Sequence, residues 1–298
     1  MSAVVGVAVE SSALRGQLSL RRIRHLLLSD PLALVALLII ALFVILAAFG
    51  PMIAPIPGNG AGVIDVQARM LPPSAQHLFG TDDLGRDILS RVILGARPAL
   101  LIAGMVVLLA VLIGVPLGAI AGYQRGWLDA VIMRIADLFL AFPPLLLAMA
   151  IVAALGPGLE HAALALSVAW WPWYTRISRG MAVSLRERPF IDGARVIGLP
   201  TWKIILNHVL PNSLTPIVVQ AMLDMGTVIL AAGGLAFIGL GARPPLPDWG
   251  LMVADGRAHI LDQWWLATFP GLAIFVATLG FTVLGDFLVR QFDPRQSG

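Results

Sequence analysis

Long uncharged apolar runs alternate along this chain with shorter polar intervals, a coarser pattern than the repeat of a soluble amphipathic helix. No Asp, Glu, Lys or Arg occurs between Asp30 and Asp65, Arg97 and Arg125, Asp137 and Glu160, or Asp224 and Arg243. A helix that crosses a bilayer needs about 20 mostly apolar residues, and several of these windows hold one each. The pattern predicts roughly six spans, over residues 32–49, 98–123, 131–155, 162–177, 214–240 and 265–289. The expected fold class is all-α, a polytopic transmembrane helical bundle. Residues 1–30 form an N-terminal segment and 31–97 the first span with a long hydrophilic loop. Residues 98–289 form the core transmembrane unit, and 290–298 a short tail.

One polar interval, residues 189–211, carries its own helical pattern. Pro189 suits the first turn of a helix, and Asp192 complements the positive N-terminus. Phe190, Gly193, Ala194 and Ile197 recur at helical spacing, and Gly198 is a natural C-terminal stop. Thr201 is a candidate N-cap for a second helix with Trp202, Ile205, Leu206, Val209 and Leu210 on one face. Pro211 is expected to end it. Two short helices joined by a tight corner fit either a ridge gripped by a partner or an amphipathic segment lying on the lipid interface. The residues alone leave both open.

Composition narrows the picture. The chain is 58% hydrophobic and 12% charged, where a soluble domain carries about 25% charged residues. The composition argues against a soluble fold. The net charge of +3 and the basic pI come from arginines flanking spans rather than from a nucleic-acid face. Residues 1–24, ending in Arg21, Arg22 and Arg24, precede an apolar run longer than a signal-peptide core, so they read as an uncleaved anchor. With six spans both termini share one side. That side holds fourteen Lys and Arg against six on the other, which places both termini and residues 189–211 in the cytoplasm. Arg86, Arg91 and Arg97 dissent, but Asp82, Asp83 and Asp87 stand beside them and can neutralise them. The absence of cysteine excludes disulfides, thiolate metal sites and a cysteine nucleophile.

Candidate chemistry is sparse. The single lysine, Lys203, follows Trp202 rather than a glycine-rich turn, so the chain holds no ATP-binding P-loop. Uphill transport would need an ion gradient or a borrowed ATPase. Asp224 is the one carboxylate well inside a span, and such groups face a bundle interior or a cavity. It reads as a lining of the solute path, a helix–helix hydrogen bond, or the cation site of an ion-coupled transporter. Pro143-Pro144 breaks the third span, as in cavities that line transport paths or in simple kinks. Asp137 and Asp286 have Arg134 and Arg290 within one turn as ion-pair partners. Gly114, Gly118 and Gly122, and Gly233, Gly234, Gly239 and Gly241, let helices approach closely. Trp249, Trp264 and Trp265 fit an interfacial belt, or alternatively packing against an extracytoplasmic partner or a cap on the pathway. No metal-site or nucleophile motif appears, and nothing suggests catalysis.

The polar helix pair resembles the EAA loop of ATP-binding-cassette (ABC) importer permeases: Glu-Ala-Ala, three residues, Gly, nine residues, then Ile-x-Leu-Pro. Asp192-Gly193-Ala194, Gly198, His208, Leu210 and Pro211 stand at that spacing, with Asp for Glu, Gly for Ala and His for Ile. His77 to Asp82, Gly85-Arg86-Asp87, Ser90-Arg91, Phe142-Pro143, the run from Phe237 to Gly241, Asp248-Trp249-Gly250, Phe269-Pro270-Gly271 and Asp293-Pro294-Arg295 are similar to the second permease of the dipeptide/oligopeptide/nickel group. The resemblance implies a type I ABC-importer permease fold in the bacterial cytoplasmic membrane. It implies a homologous second permease, two cytoplasmic ATPases that carry ATP and Mg, and an extracytoplasmic solute-binding protein. This chain itself would hold no cofactor or metal. Phe190, Asp192, Gly193, Ala194, Arg195, Gly198, His208, Leu210 and Pro211 would couple it to the ATPases, while Asp224, Pro143 and Pro144 would line the translocation path.

Overall fold

The structure, a computed structural model, describes residues 30–58 and 62–292. The expected cytoplasmic segment up to residue 29, with Arg15, Arg21, Arg22 and Arg24, and the tail from residue 293 lie outside the described residues. All named elements among the described residues are helical, and one isolated bridge joins Thr81 and Asp87.

Helix α1 (Pro31–Ile53) opens where Asp30 Oδ1 accepts the amides of Leu32 and Ala33, at 3.0 and 3.3 Å, with proline in the first turn. Its residues are largely exposed, as an apolar helix facing lipid requires. Helix α2 (Ile88–Gln124) begins ten residues before the expected residue 98. The reason is a cap: Asp87 Oδ2 accepts from the amide and hydroxyl of Ser90 at 2.8 and 2.7 Å. At 37 residues it is about 55 Å long, well beyond the hydrocarbon core of about 30 Å.

The expected third span is two helices, α3 (Gly126–Leu140) and α4 (Pro144–Leu155), bent by 84°. Pro143 and Pro144 cause the bend, because neither supplies an amide and their rings crowd the preceding turn. Helix α5 (Leu159–Arg186) follows, then α6 (Pro189–Val196) and α7 (Thr201–Ile204). A π-turn over Ile205–Val209 connects α7 without interruption to α8 (Leu210–Phe237). Helix α9 (Trp249–Gly256) and α10 (Trp265–Phe292) complete the fold.

Four of these segments are long and apolar enough to cross a membrane, and the bent pair α3–α4 supplies a fifth crossing if it counts as one. The expected fourth span lies in α5, which is 28 residues long but polar, carrying Glu160, Arg176, Arg179 and Arg186. The helix is nonetheless the one most deeply set against α2. A Cβ on Gly114, Gly118 or Gly122 would lie 2.4, 2.2 and 2.4 Å from the carbonyl oxygens of Trp171, Thr175 and Arg179. Only glycine permits that approach, and Ser178 Oγ uses it to donate to Val115 O at 2.7 Å. The glycine stripe is therefore a packing seam.

Two ion pairs differ from those expected along single helices. Asp137 pairs with Arg176 of α5, and Arg290 with Asp30 at the start of α1. Arg134 and Asp286 form neither pair. Both observed bridges tie separate helices together, which the one-dimensional spacing does not register.

Candidate coupling and translocation sites

The corner between α6 and α7 is built around Gly198, whose φ of +77° lies in the left-handed region. The amide of Leu199 donates to Ala194 O at 3.1 Å and that of Gly198 to Arg195 O at 2.9 Å. This pair of bonds is the Schellman ending that glycine permits at low cost. The expected stop is thus observed. A Cβ on Gly198 or Gly193 would meet nothing within 4 Å, so both present open backbone to the surroundings.

Beneath the corner lies a separate apolar cluster. Ile191 and Ala194 of α6, Ile204 of α7, and Ile205 and Val209 of the π-turn pack with Ala119 and Tyr123 of α2 and Ala182 of α5. The face that packs inward is therefore Ile204, Ile205 and Val209. Trp202 and Leu206, expected on that face, are 59% and 52% exposed. The π-turn rotates the helix relative to an uninterrupted α period, which shifts the buried stripe. Pro211 does not stop the helix. It stands in the first turn after the π-turn, whose last i→i+5 bond runs from Leu210 N to Ile205 O, and the chain runs on as one helical rod over Thr201–Phe237.

Arg195 fastens the corner to α2. Its Nε donates to Tyr123 Oη at 3.2 Å, its guanidinium lies 5.4 Å from the Tyr123 ring centre, and Nη1 pairs with Asp192 at 2.9 Å. The hydroxyl contact holds the guanidinium above its ordinary pKa. Arg186 donates to Tyr123 O at 2.8 Å from the other side. Phe190 and His208 approach with ring centres 6.3 Å apart, linking α6 to the π-turn. Phe190, Val196 and Ile197 remain exposed at 46%, 87% and 75%. The result is a rigid pedestal with an apolar outer face and an open glycine corner.

The second site lies higher on the same rod. Asp224, Pro143 and Pro144 line one cavity of about 600 Å³, together with Gln220, Trp170 and Trp173. All three residues singled out for the path thus meet in space. Asp224 is buried, accepts from Gln220 Nε2 at 3.1 Å, and leaves Oδ2 without a hydrogen bond of ordinary geometry. Pro143-Pro144 opens the space by turning α4 away from α3.

The hydrophilic loop before α2 is an ordered knot. Asp82 accepts from the amides of Leu84 and Arg86 at 2.9 Å and from Arg86 Nε at 2.7 Å, and lies 3.7 Å from Arg91 Nε. Arg86 and Arg91 are neutralised as expected. Trp249 and Trp265 do not form an interfacial belt: both are buried, donating to Val92 O and Thr81 O at 2.9 and 3.3 Å. Trp264 alone stays half-exposed. Sequence reasoning missed this anchoring because indole N–H partners more than 150 residues away leave no local signal.

These features define a multi-pass α-helical membrane protein with an exposed helix pair and an open cavity lined by Asp224. The chain belongs to the family of binding-protein-dependent transport system inner membrane components, whose model matches residues 114–298. Residues 19–73 match the N-terminal transmembrane domain of oligopeptide transport permease C. It is 43% identical to a probable D,D-dipeptide transport system permease protein of Escherichia coli strain K12, with 97% of each chain covered. It is 44% identical to a dipeptide transport system permease protein of Alkalihalophilus pseudofirmus, covering 89% of this chain and 86% of that one. Identity to the glutathione transport system permease protein of Escherichia coli O6:K15:H31 is 41%, covering 90% and 88%. Among solved structures, an inward-facing methionine ABC transporter matches 67% of this chain and 95% of its own at a TM-score of 0.54 and 18% identity, a likeness of fold.

Proposed function

We propose that this chain is the permease subunit of an ABC importer that moves short peptides or closely related small solutes across the bacterial cytoplasmic membrane. Its relatives named for dipeptide and glutathione transport support the substrate class. The observation that carries the mechanism is the continuity of Thr201–Phe237: one helical rod holds His208, Leu210 and Pro211 near its base and Asp224 about 20 Å further along.

In this reading two cytoplasmic ATPases, supplying ATP and Mg, grip the exposed face of α6 and the Gly198 corner. A homologous second permease completes the path, and an extracytoplasmic binding protein delivers solute. Both termini lie in the cytoplasm. The apolar cluster under the corner and the Arg195–Tyr123 contact prevent α6 from moving independently of α2 and α5. Closure of the ATPases therefore displaces whole helices, shifting the populations of two states by differential contact. Pro143-Pro144 and Asp224 move with that displacement because they line a cavity on the rod and its neighbour. Chemistry stays on the ATPases; this chain transmits motion.

The test is uptake by vesicles containing the chain with its neighbouring transport subunits. Uptake of a radiolabelled dipeptide is expected to require the ATPase and to be blocked by vanadate. Uptake that survives loss of the ATPase but vanishes in Asp224→Asn would overturn the proposal in favour of ion coupling.

A further inference from the structure

The cavity around Asp224 has a chemical character that a passive hydrophobic path does not need. A carboxylate inside a membrane helix is costly unless paired, yet the described residues bring no Lys or Arg to the cavity lining. One oxygen of Asp224 takes the Gln220 amide at 3.1 Å, and the other is buried without a hydrogen bond. Tyr174 Oη, fully buried on α5, likewise lacks a partner of ordinary geometry. Trp170 and Tyr174 approach the carboxylate from α5, and Trp170 and Trp173 contribute their indoles to the cavity wall. A carboxylate with no cationic partner among indole rings is a combination suited to an organic cation, which pairs with the charge and rests against the ring faces. The volume of about 600 Å³ lies within the usual range of small-molecule sites.

We propose that Asp224, with Trp170 and Trp173, forms a binding site for the primary ammonium group of the transported solute. The site rests on the importer reading above and deepens it: the permease itself recognises one end of its cargo. The ammonium is supplied by a peptide N-terminus or by a lysine side chain. It pairs with the Asp224 carboxylate while Gln220 holds one of its oxygens, and the indoles exclude water from the contact. No bond is made or broken.

Binding is measured by titrating the assembled transporter in nanodiscs, without its binding protein, with alanyl-alanine, N-acetyl-alanyl-alanine and N-acetyl-lysinamide. Wild type is expected to favour alanyl-alanine over its acetylated form by about tenfold. Asp224→Asn removes that preference, Asp224→Glu retains it, and Trp173→Leu weakens it without abolishing assembly. Recovery with N-acetyl-lysinamide assigns the site to any primary ammonium; its absence restricts the site to the peptide N-terminus. Equal affinity for the free and acetylated peptides in wild type, or a preference unchanged in both Asp224→Asn and Trp173→Leu, overturns the proposal. ATP-driven alanyl-alanine uptake in vesicles separates the two readings. Uptake with no ammonium preference sinks this site alone, and preference without any ATP-driven uptake sinks the importer reading.

Discussion

Gly198 offers a way to separate strain within the chain from contact with a partner. Its φ is +77°, and an added Cβ would meet nothing within 4 Å. Gly198→Ala therefore creates no clash and imposes only the left-handed backbone penalty of about 1–2 kcal/mol. Gly198→Asn adopts that conformation more readily and is expected to cost less than about 1 kcal/mol. Gly198→Trp carries a penalty like that of alanine but projects a large ring outward from the corner. Thermal unfolding of the purified chain should thus show alanine and tryptophan variants lowered together by a few degrees, with asparagine closer to wild type. Dipeptide uptake and ATP hydrolysis, measured in vesicles with the partner subunits, should separate differently. Asparagine and alanine variants should keep more than about half of wild-type uptake, since the strain is small against a typical folding stability of 5–15 kcal/mol. The tryptophan variant should lose uptake while ATP hydrolysis persists. Normal uptake with tryptophan, or loss as complete with alanine, would refute the assignment of the corner to a partner interface.

Asp192→Ala removes an exposed i,i+3 pair with Arg195, so stability should change by less than about 0.5 kcal/mol; in the same vesicle assay, uptake should fall. Gly118→Ala places a Cβ 2.2 Å from Thr175 O and should cost about 1–3 kcal/mol through overpacking, read by denaturation in mixed micelles. Gly104→Ala, with open space around it, should be neutral or stabilising by up to about 1 kcal/mol. Equal effects at the two positions would refute the packing seam. Asp248 caps α9 by accepting the amide of Leu251 at 3.0 Å, while burial pushes its pKa above the ordinary carboxylate value. Because the folded state then holds the proton more tightly than the unfolded one, stability is lost as pH rises from about 4 through the raised pKa. Asp248→Asn keeps the cap and should remove that slope, whereas Asp248→Ala should remove the slope too and lie about 1 kcal/mol below Asp248→Asn at all pH values.

What the sequence determined was whatever depends on local composition and spacing. Uncharged runs identified helices that belong in a bilayer, since the cost of charge in lipid is paid residue by residue. Gly198 and the double proline at 143–144 marked a stop and a break, because backbone conformation and a missing amide are local properties. The spacing of Asp192, Gly198, His208, Leu210 and Pro211 pointed to the family that the comparisons establish. Tertiary structure decided the rest. Pro211 follows a π-turn and continues the helix, so the segment that starts beside the Gly198 corner and Asp224 share one rod. Residues of α5 gain their place despite their polarity because a glycine stripe on α2 admits their backbone. Trp249 and Trp265 are buried because carbonyls far along the chain are brought to their indoles. Asp224, Pro143, Pro144 and Trp170 face one cavity because α8, α4 and α5 converge there. Such meetings depend on how helices pack against one another, which no one-dimensional period encodes.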